Sequence, residues 1–233
     1  MLRSRTSRIL SAIELVLLAW TALCHAQGDG KPIFNGHDLE NWDGDKRFWS
    51  VSEGAIRGET SLERMPSTNT FLIWRGGVLK DFDLKLKVRL RNGNSGVHYR
   101  SRDLGHWGVA GYQVELDNGA GKSGFLYEEC GRKFLALVGE KVEIDAQQKP
   151  EVVGLLARRK DLVASHYYKP QDWNEYHIVA RGNHLQHFIN GVQTVDVVDN
   201  DSKGRSLEGV LAFQIHVGPP MLVEFKDIFL KNL

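Results

Sequence analysis

From Asp81 to Arg91 the chain reads DFDLKLKVRLR. Phe82, Leu84, Leu86, Val88 and Leu90 alternate with Asp83, Lys85, Lys87, Arg89 and Arg91. A period of two puts every second side chain on one face, so this stretch is a strand with one buried and one wet side. Shorter runs follow the same rule at Asn69–Arg75, Ser95–Arg100, Tyr112–Asp117, Glu175–Arg181, His184–Asn190, Gly209–His216 and Val223–Leu230. Turn signals separate them, among them Asn92-Gly93, Asp117-Asn118-Gly119 and Asn190-Gly191. Residues 184–189 and 192–198 flank an Asn-Gly pair and read as a hairpin. Helical period is sustained nowhere; one short helix is expected near Lys160–His166. Gly131–Pro170 is the least regular stretch and reads as an insertion or cover over one end. The expected fold is all-β, an antiparallel sandwich or jelly roll.

Composition narrows the partners. The 30 basic and 29 acidic residues give a formal charge of +1, without blocks of one sign. Nucleic acid and anionic membranes both call for concentrated positive charge, so neither is an expected partner. The N-terminus differs from the rest. Arg3, Arg5 and Arg8 precede an apolar stretch, Ile9 to Cys24, and Ala26 stands where a signal peptidase would cut. Residues 1–26 read as a signal peptide and 27–233 as a single secreted or periplasmic domain, with no membrane contact after cleavage. The apolar stretch is shorter than the roughly 20 residues a membrane span needs. Cleavage leaves Cys130 as the lone cysteine, so no internal disulfide can form.

Several motifs fail. Gly119-Ala120-Gly121-Lys122-Ser123 resembles the end of a phosphate-binding loop, but Leu116 occupies the place of its first glycine. Asp199, Asp201 and Gly204 resemble a calcium loop whose twelfth position is Val210 rather than glutamate. Gly93-Asn94-Ser95-Gly96 is not a nucleophile elbow, and Cys130 reads as a spare, inert thiol.

One constellation survives. Asn94, His98 and Arg100 share a strand face opposite Ser95, Val97 and Tyr99; Gln113, Glu115 and Asp117 oppose Tyr112, Val114 and Leu116; Gln214 and His216 oppose Leu211, Phe213 and Ile215. A solvated sheet face is the ordinary explanation of alternation. The strand at 81–91 shows what such a face looks like here, and it is rich in lysine and arginine. The three other strands carry no lysine there, only groups that hydrogen-bond, move protons or bind metals. If the strands are neighbours, these groups line one pocket. Trp107, in the loop Gly105-His106-Trp107-Gly108, could offer its indole to the apolar face of a sugar. Trp42, Trp49 and Trp74 read as core.

The ordered motifs FNGHDLENW (Phe34–Trp42), DFDLKLKVRL (Asp81–Leu90), NSGVHYR (Asn94–Arg100), GYQVELD (Gly111–Asp117), GFLY (Gly124–Tyr127), DWNEY (Asp172–Tyr176), INGV (Ile189–Val192) and VEFKDIFLK (Val223–Lys231) resemble the 3-keto-disaccharide hydrolase family. The resemblance spans Phe34 to Leu233. It implies a concanavalin A-like jelly roll and cleavage of glycosides oxidised at C3, with a sugar 3-dehydrogenase acting upstream. A 3-keto group acidifies the C2 hydrogen, so a base can remove it while the C1 substituent leaves; water then adds back. Such a site needs a base, a stabiliser of the enolate oxygen and an acid. Glu115 or Asp117 could be the base, His98 or His216 the acid, and Arg100 the oxyanion partner. Asn94, Gln113, Trp107, Tyr127 and Gln214 could bind substrate. A divalent metal could replace Arg100, with His98, Glu115, Asp117 and His216 as available donors. Glu115-Leu116-Asp117 also resembles the opening of the Glu-x-Asp-x-x-Glu signature of jelly-roll glucanases, but Gly119 and Ala120 stand where the second glutamate would fall. The rival readings are a non-catalytic lectin-like module, since one fold hosts both, and a periplasmic interaction domain.

Overall fold

The computed structural model describes residues 30–233; the expected signal peptide lies outside them. Two sheets form the fold. The seven-stranded sheet runs in the order β10 (Lys133–Ala136), β9 (Leu126–Glu129), β8 (Gly108–Asp117), β7 (Asn94–Gly105), β16 (Val210–Ile215), β5 (Thr70–Trp74) and β2 (Trp42–Asp43). The ten-stranded sheet runs β12 (Pro150–Leu155), β11 (Glu140–Ile144), β15 (Val192–Asp199), β14 (His184–Ile189), β13 (Asn174–Arg181), β6 (Phe82–Asn92), β17 (Leu222–Asn232), β4 (Ala55–Glu59) and β3 (Trp49–Ser52), with β1 (Lys31–Pro32) beside β17. The pairings are antiparallel except β11 with β15, which is parallel. The short helix α1 spans Arg159–Ala164. Among the described residues no helix is long and apolar enough to cross a membrane.

The alternating strand is β6, central in the larger sheet. Phe82, Leu84, Leu86, Val88 and Leu90 are buried, whereas Lys87 and Arg91 are exposed. Each buried side chain contributes roughly 1.5–3 kcal/mol, and a slip of one residue would turn all five outward, so the register is fixed. Facing them from the smaller sheet are Val97, Tyr99, Tyr112, Val114, Leu116, Leu211, Phe213 and Ile215, all in the same apolar cluster. Phe213 stacks on Phe225 of β17 with ring centroids 3.9 Å apart, joining the layers. Trp42 and Trp49 are buried and Trp74 half-buried against this core.

The hairpin β14–β15 forms as expected. Asn190 and Gly191 both take positive φ, +50° and +80°, the turn whose twist suits two antiparallel strands. Gly131–Pro170 departs from expectation. It contains β10, β11, β12 and α1, so most of it extends the two sheets rather than lying across them. Its strands are only four to six residues long, so the period of two has little room to show. The aspartates of the failed calcium loop have a structural role. Asp199 and Asp201 are buried and hold Arg132, whose guanidinium lies 2.7 Å and 3.2 Å from them and 2.7 Å from Glu128.

Candidate functional site

The strands β8, β7 and β16 are neighbours, so their polar faces form one surface. His98 stands between Gln113 and Ala212 in the cross-strand register, Glu115 opposite Gly96, Asn94 opposite Asp117, and Gln214 opposite Phe71 of β5. This surface is not solvated. His98 is 0%, Gln214 1%, Gln113 2% and Glu115 7% exposed.

Over the His98 end of the surface the cover comes from the β7–β8 hairpin itself. A bulge between Tyr99 and Arg102, with Arg100 at φ +47°, bends the strand. The tip returns over the sheet, where the Phe71 N–H donates to the Trp107 carbonyl at 3.0 Å. Val109 joins Phe71, Ile73 and Ala212 in a small apolar cluster. The Phe71 ring meets His98 edge-on, centroids 4.8 Å apart.

The bulge also redirects Arg100. Its guanidinium is fully buried and donates to the carbonyls of Lys80 (2.7 Å) and Gly182 (2.6 Å) and to Asp81 (2.9 Å). The structure therefore ties it to loops of the larger sheet, not to Glu115. Trp107 is half-buried, and its indole N–H donates to Asp43 at 2.8 Å. His216 lies just beyond β16, exposed, with Nδ1 2.6 Å from the Val217 carbonyl. His98 is sealed in, and burial lowers its pKa to about 3. A ring that stays neutral at working pH is poorly placed to act as a general acid. Cys130 is exposed, and desolvation and Glu129 push its thiol up, away from thiolate.

Glu115 is the group that remains. Its Oε2 accepts from Gln113 Nε2 at 2.6 Å, and its Oε1 accepts from Asn94 Nδ2. Both bonds favour the carboxylate, yet burial outweighs them and raises the pKa to about 7. Asp117 nearby works in the same direction as burial, and Lys122 against it. The carboxyl opens onto a pocket of about 350 Å³, walled by Phe125, Phe134, Leu137 and Val138, with Asp117, Lys122 and Arg159 among its polar groups. Tyr127, half-buried beside Gln113, stacks edge-on with Phe134 at 5.2 Å. Lys122 reaches Asp117 at 3.4 Å, and Arg159 comes from α1.

Lys122 and Arg159 were not legible as site residues. Lys122 sits in the glycine-rich stretch that fails as a phosphate loop, and Arg159 in the segment read as a cover. Among the described residues no group of three or more His, Cys, Asp and Glu side chains could hold a metal ion. His98, Glu115, Asp117 and His216 thus do not converge as a metal donor set.

Residues 29–231 match the model of the 3-keto-alpha-glucoside-1,2-lyase-like domain. The chain belongs to that family. A comparison with curated proteins gives no match. Among solved structures, a candidate glycosyl hydrolase from Parabacteroides distasonis is similar at 18% identity and TM-score 0.57, covering 88% of this chain and all of that one. A Bacillus subtilis protein of unknown function with a galectin-like fold has 10% identity and TM-score 0.55, covering 83% and 90%. The carbohydrate-binding module CBM66 of Bacillus subtilis has 11% identity and TM-score 0.53, covering 82% and 96%. At these identities the likenesses establish the jelly-roll, galectin-like fold that the family member shares.

Proposed function

We propose that this protein is a secreted or periplasmic enzyme that cleaves 3-keto-glycosides, with Glu115 as the base. The observation that carries the reading is one carboxyl, raised to about 7 by burial, at the wall of a pocket lined by aromatic groups and two cations. A base is most effective when its pKa lies near the operating pH. Glu115 carboxylate takes the C2 proton. The C–H electron pair becomes the C1=C2 bond, the C1–O bond breaks, and the departing oxygen takes a proton at the open mouth of the pocket. Negative charge that builds on the C3 oxygen is met by Lys122 and Arg159. Addition of water to the unsaturated keto-sugar completes a net hydrolysis. Phe125, Phe134 and Tyr127 supply apolar surface for the sugar ring, and Asn94 and Gln113 hold the carboxylate. The family to which the chain belongs supports this chemistry.

The test compares a 3-keto-glucoside with its unoxidised parent, with and without EDTA, in wild type and Glu115→Gln. Release of the leaving group from the keto form alone, lost in Glu115→Gln, is the expected result. Binding of both sugars without release from either would favour the second reading, a carbohydrate-binding module. That reading draws on the fold shared with CBM66.

A further inference from the structure

Behind Glu115 lies an unusual concentration of unpaired polar atoms. Both ring nitrogens of His98, Oε1 of Gln113 and both amide atoms of Gln214 are buried with no partner at full hydrogen-bond geometry, although Gln113 stands close enough to His98 to oppose the effect of burial on its pKa. They sit on three adjacent strands, under the folded-back hairpin. Each buried polar group left unpaired costs about 1–3 kcal/mol, so five on one patch would be a heavy burden for a fold of marginal stability. Small shifts toward each other, or one trapped water, would close the network.

The arrangement has a direction. Gln113 spends its nitrogen on Glu115, which turns its oxygen toward the enclosed side. His98 is its cross-strand partner. Gly96, opposite Glu115, leaves the room: a Cβ there would stand 2.5 Å from Cγ and Cδ of Gln113. The orientation of this amide matters to Glu115. With nitrogen outward it donates to a carboxylate; flipped, its oxygen would face the carboxyl and favour the protonated acid.

We propose that His98 and Gln214 are positioning residues that, directly or through one trapped water, hold the Gln113 amide with its oxygen inward and its nitrogen on Glu115. A neutral His98 donates a ring N–H to the amide oxygen, and Gln214 completes the enclosure. This inference rests on the reading of Glu115 as the base. The other groups that face Glu115 are Asn94, Asp117, Lys122 and Arg159 around the carboxyl, Tyr127 on β9, and Tyr176 of β13, whose hydroxyl reaches the Glu115 carbonyl at 3.5 Å.

The experiment follows the side-chain amide protons of Gln113 by ¹⁵N NMR across pH, alongside turnover of a 3-keto-glucoside. In wild type these protons should be protected from solvent exchange and should shift as Glu115 titrates. His98→Leu and Gln214→Met should weaken both signatures, lower kcat about 10- to 100-fold with KM within twofold, and raise the acid limb of the pH profile. His98→Gln should restore part of the effect. Adding His98→Leu to Gln113→Met should cost nothing more than Gln113→Met alone. Gln214→Met keeps the test open if His98→Leu does not fold. Rapidly exchanging Gln113 amide protons in wild type, or unchanged amide signals and kcat in folded variants, would overturn the proposal. The amide signature is read without substrate. It therefore stands apart from an active Glu115→Gln, which would defeat the catalytic reading alone.

Discussion

Gly96→Ala isolates the link between sheet geometry and chemistry. Gly96 lies between Glu115 and β16 in the register, and its φ is not among the positive ones, so alanine meets no backbone strain. Its Cβ would stand 2.5 Å from Cγ and Cδ and 2.6 Å from Nε2 of Gln113. These atoms belong to a flexible side chain, so Gln113 moves and its 2.6 Å bond to Glu115 is lost. A hydrogen bond to an ionised group is worth about 1.5–3 kcal/mol, which is about 1–2 pH units at 1.36 kcal/mol per unit. Only the charged form loses, so the Glu115 midpoint moves up, from about 7 to about 8–9. At pH 7 the ionised fraction then falls about 5- to 50-fold. Overpacking costs about 1–3 kcal/mol more, since Cγ as well as the amide must move. The assay is a pH–rate profile on a 3-keto-glucoside, paired with thermal melting. A variant that folds and keeps both the wild-type profile and rate at pH 7 would refute the role given to Gln113.

Other perturbations separate structure from chemistry. Glu115→Gln should stabilise the protein above pH 7: a folded pKa of about 7 against 4.5 unfolded means stability is lost as pH rises through that window, by about 3 kcal/mol in all, and urea denaturation at pH 4.5 and pH 8 would show whether the variant removes it. His187 carries the opposite slope. Buried against Tyr99 at 2.8 Å, with its pKa lowered to about 3, it contributes stability above pH 6.5 that is lost on acidification toward pH 3. His187→Gln should therefore flatten acid denaturation between those values, and an unchanged slope would count against a neutral buried ring. Arg100→Met should lower the melting temperature markedly, since a buried guanidinium loses three bonds, yet leave kcat per folded molecule unchanged; a selective loss of kcat would return Arg100 to the site. Arg132→Met leaves Asp199 and Asp201 buried without their cation and should cost about 3–5 kcal/mol by denaturation, whereas a loss below 1 kcal/mol would mean the network is solvated.

How far the fold could be read depended on how long the period of two persisted. The strand β6 alternates for its full length, and β13, β14 and β17 nearly so, because one side meets the core and the other water. The short strands of 133–155 escaped, since four to six residues carry too few alternations to stand out. The same rule explains the site. Asn94, His98, Gln113, Glu115 and Gln214 could be placed on one surface because strand parity alone decides it. Arg100 could not, because a bulge shifts parity by one and leaves no mark in NSGVHYR. Trp107 stands apart from the Glu115 pocket for a related reason: the hairpin that carries it folds back across the sheet, a tertiary event no local pattern announces. Arg159 comes from a segment far from Glu115 in the chain, and Lys122, only seven residues on, is folded back by the turn at Gly119, so packing and a turn rather than strand parity bring them to the pocket.

Burial links the fold to the chemistry. An open concave sheet would leave Glu115 solvated, near the ordinary carboxylate pKa and too weak a base for a C–H bond. The fold-back of the β7–β8 hairpin removes water from the His98 end of that face, Phe125, Phe134, Leu137 and Val138 wall the Glu115 end, and desolvation heads the causes of the raised pKa. The same enclosure strands His98, Gln113 and Gln214, whose polar atoms would be harmless in water. A device that only stabilised the fold would fill that space with leucine and valine, as the opposite face of the same strands does. That polar groups stand there instead, against the energetic preference of a dry interior, is the physical reason to look for function in their arrangement rather than in the exposed surface around them.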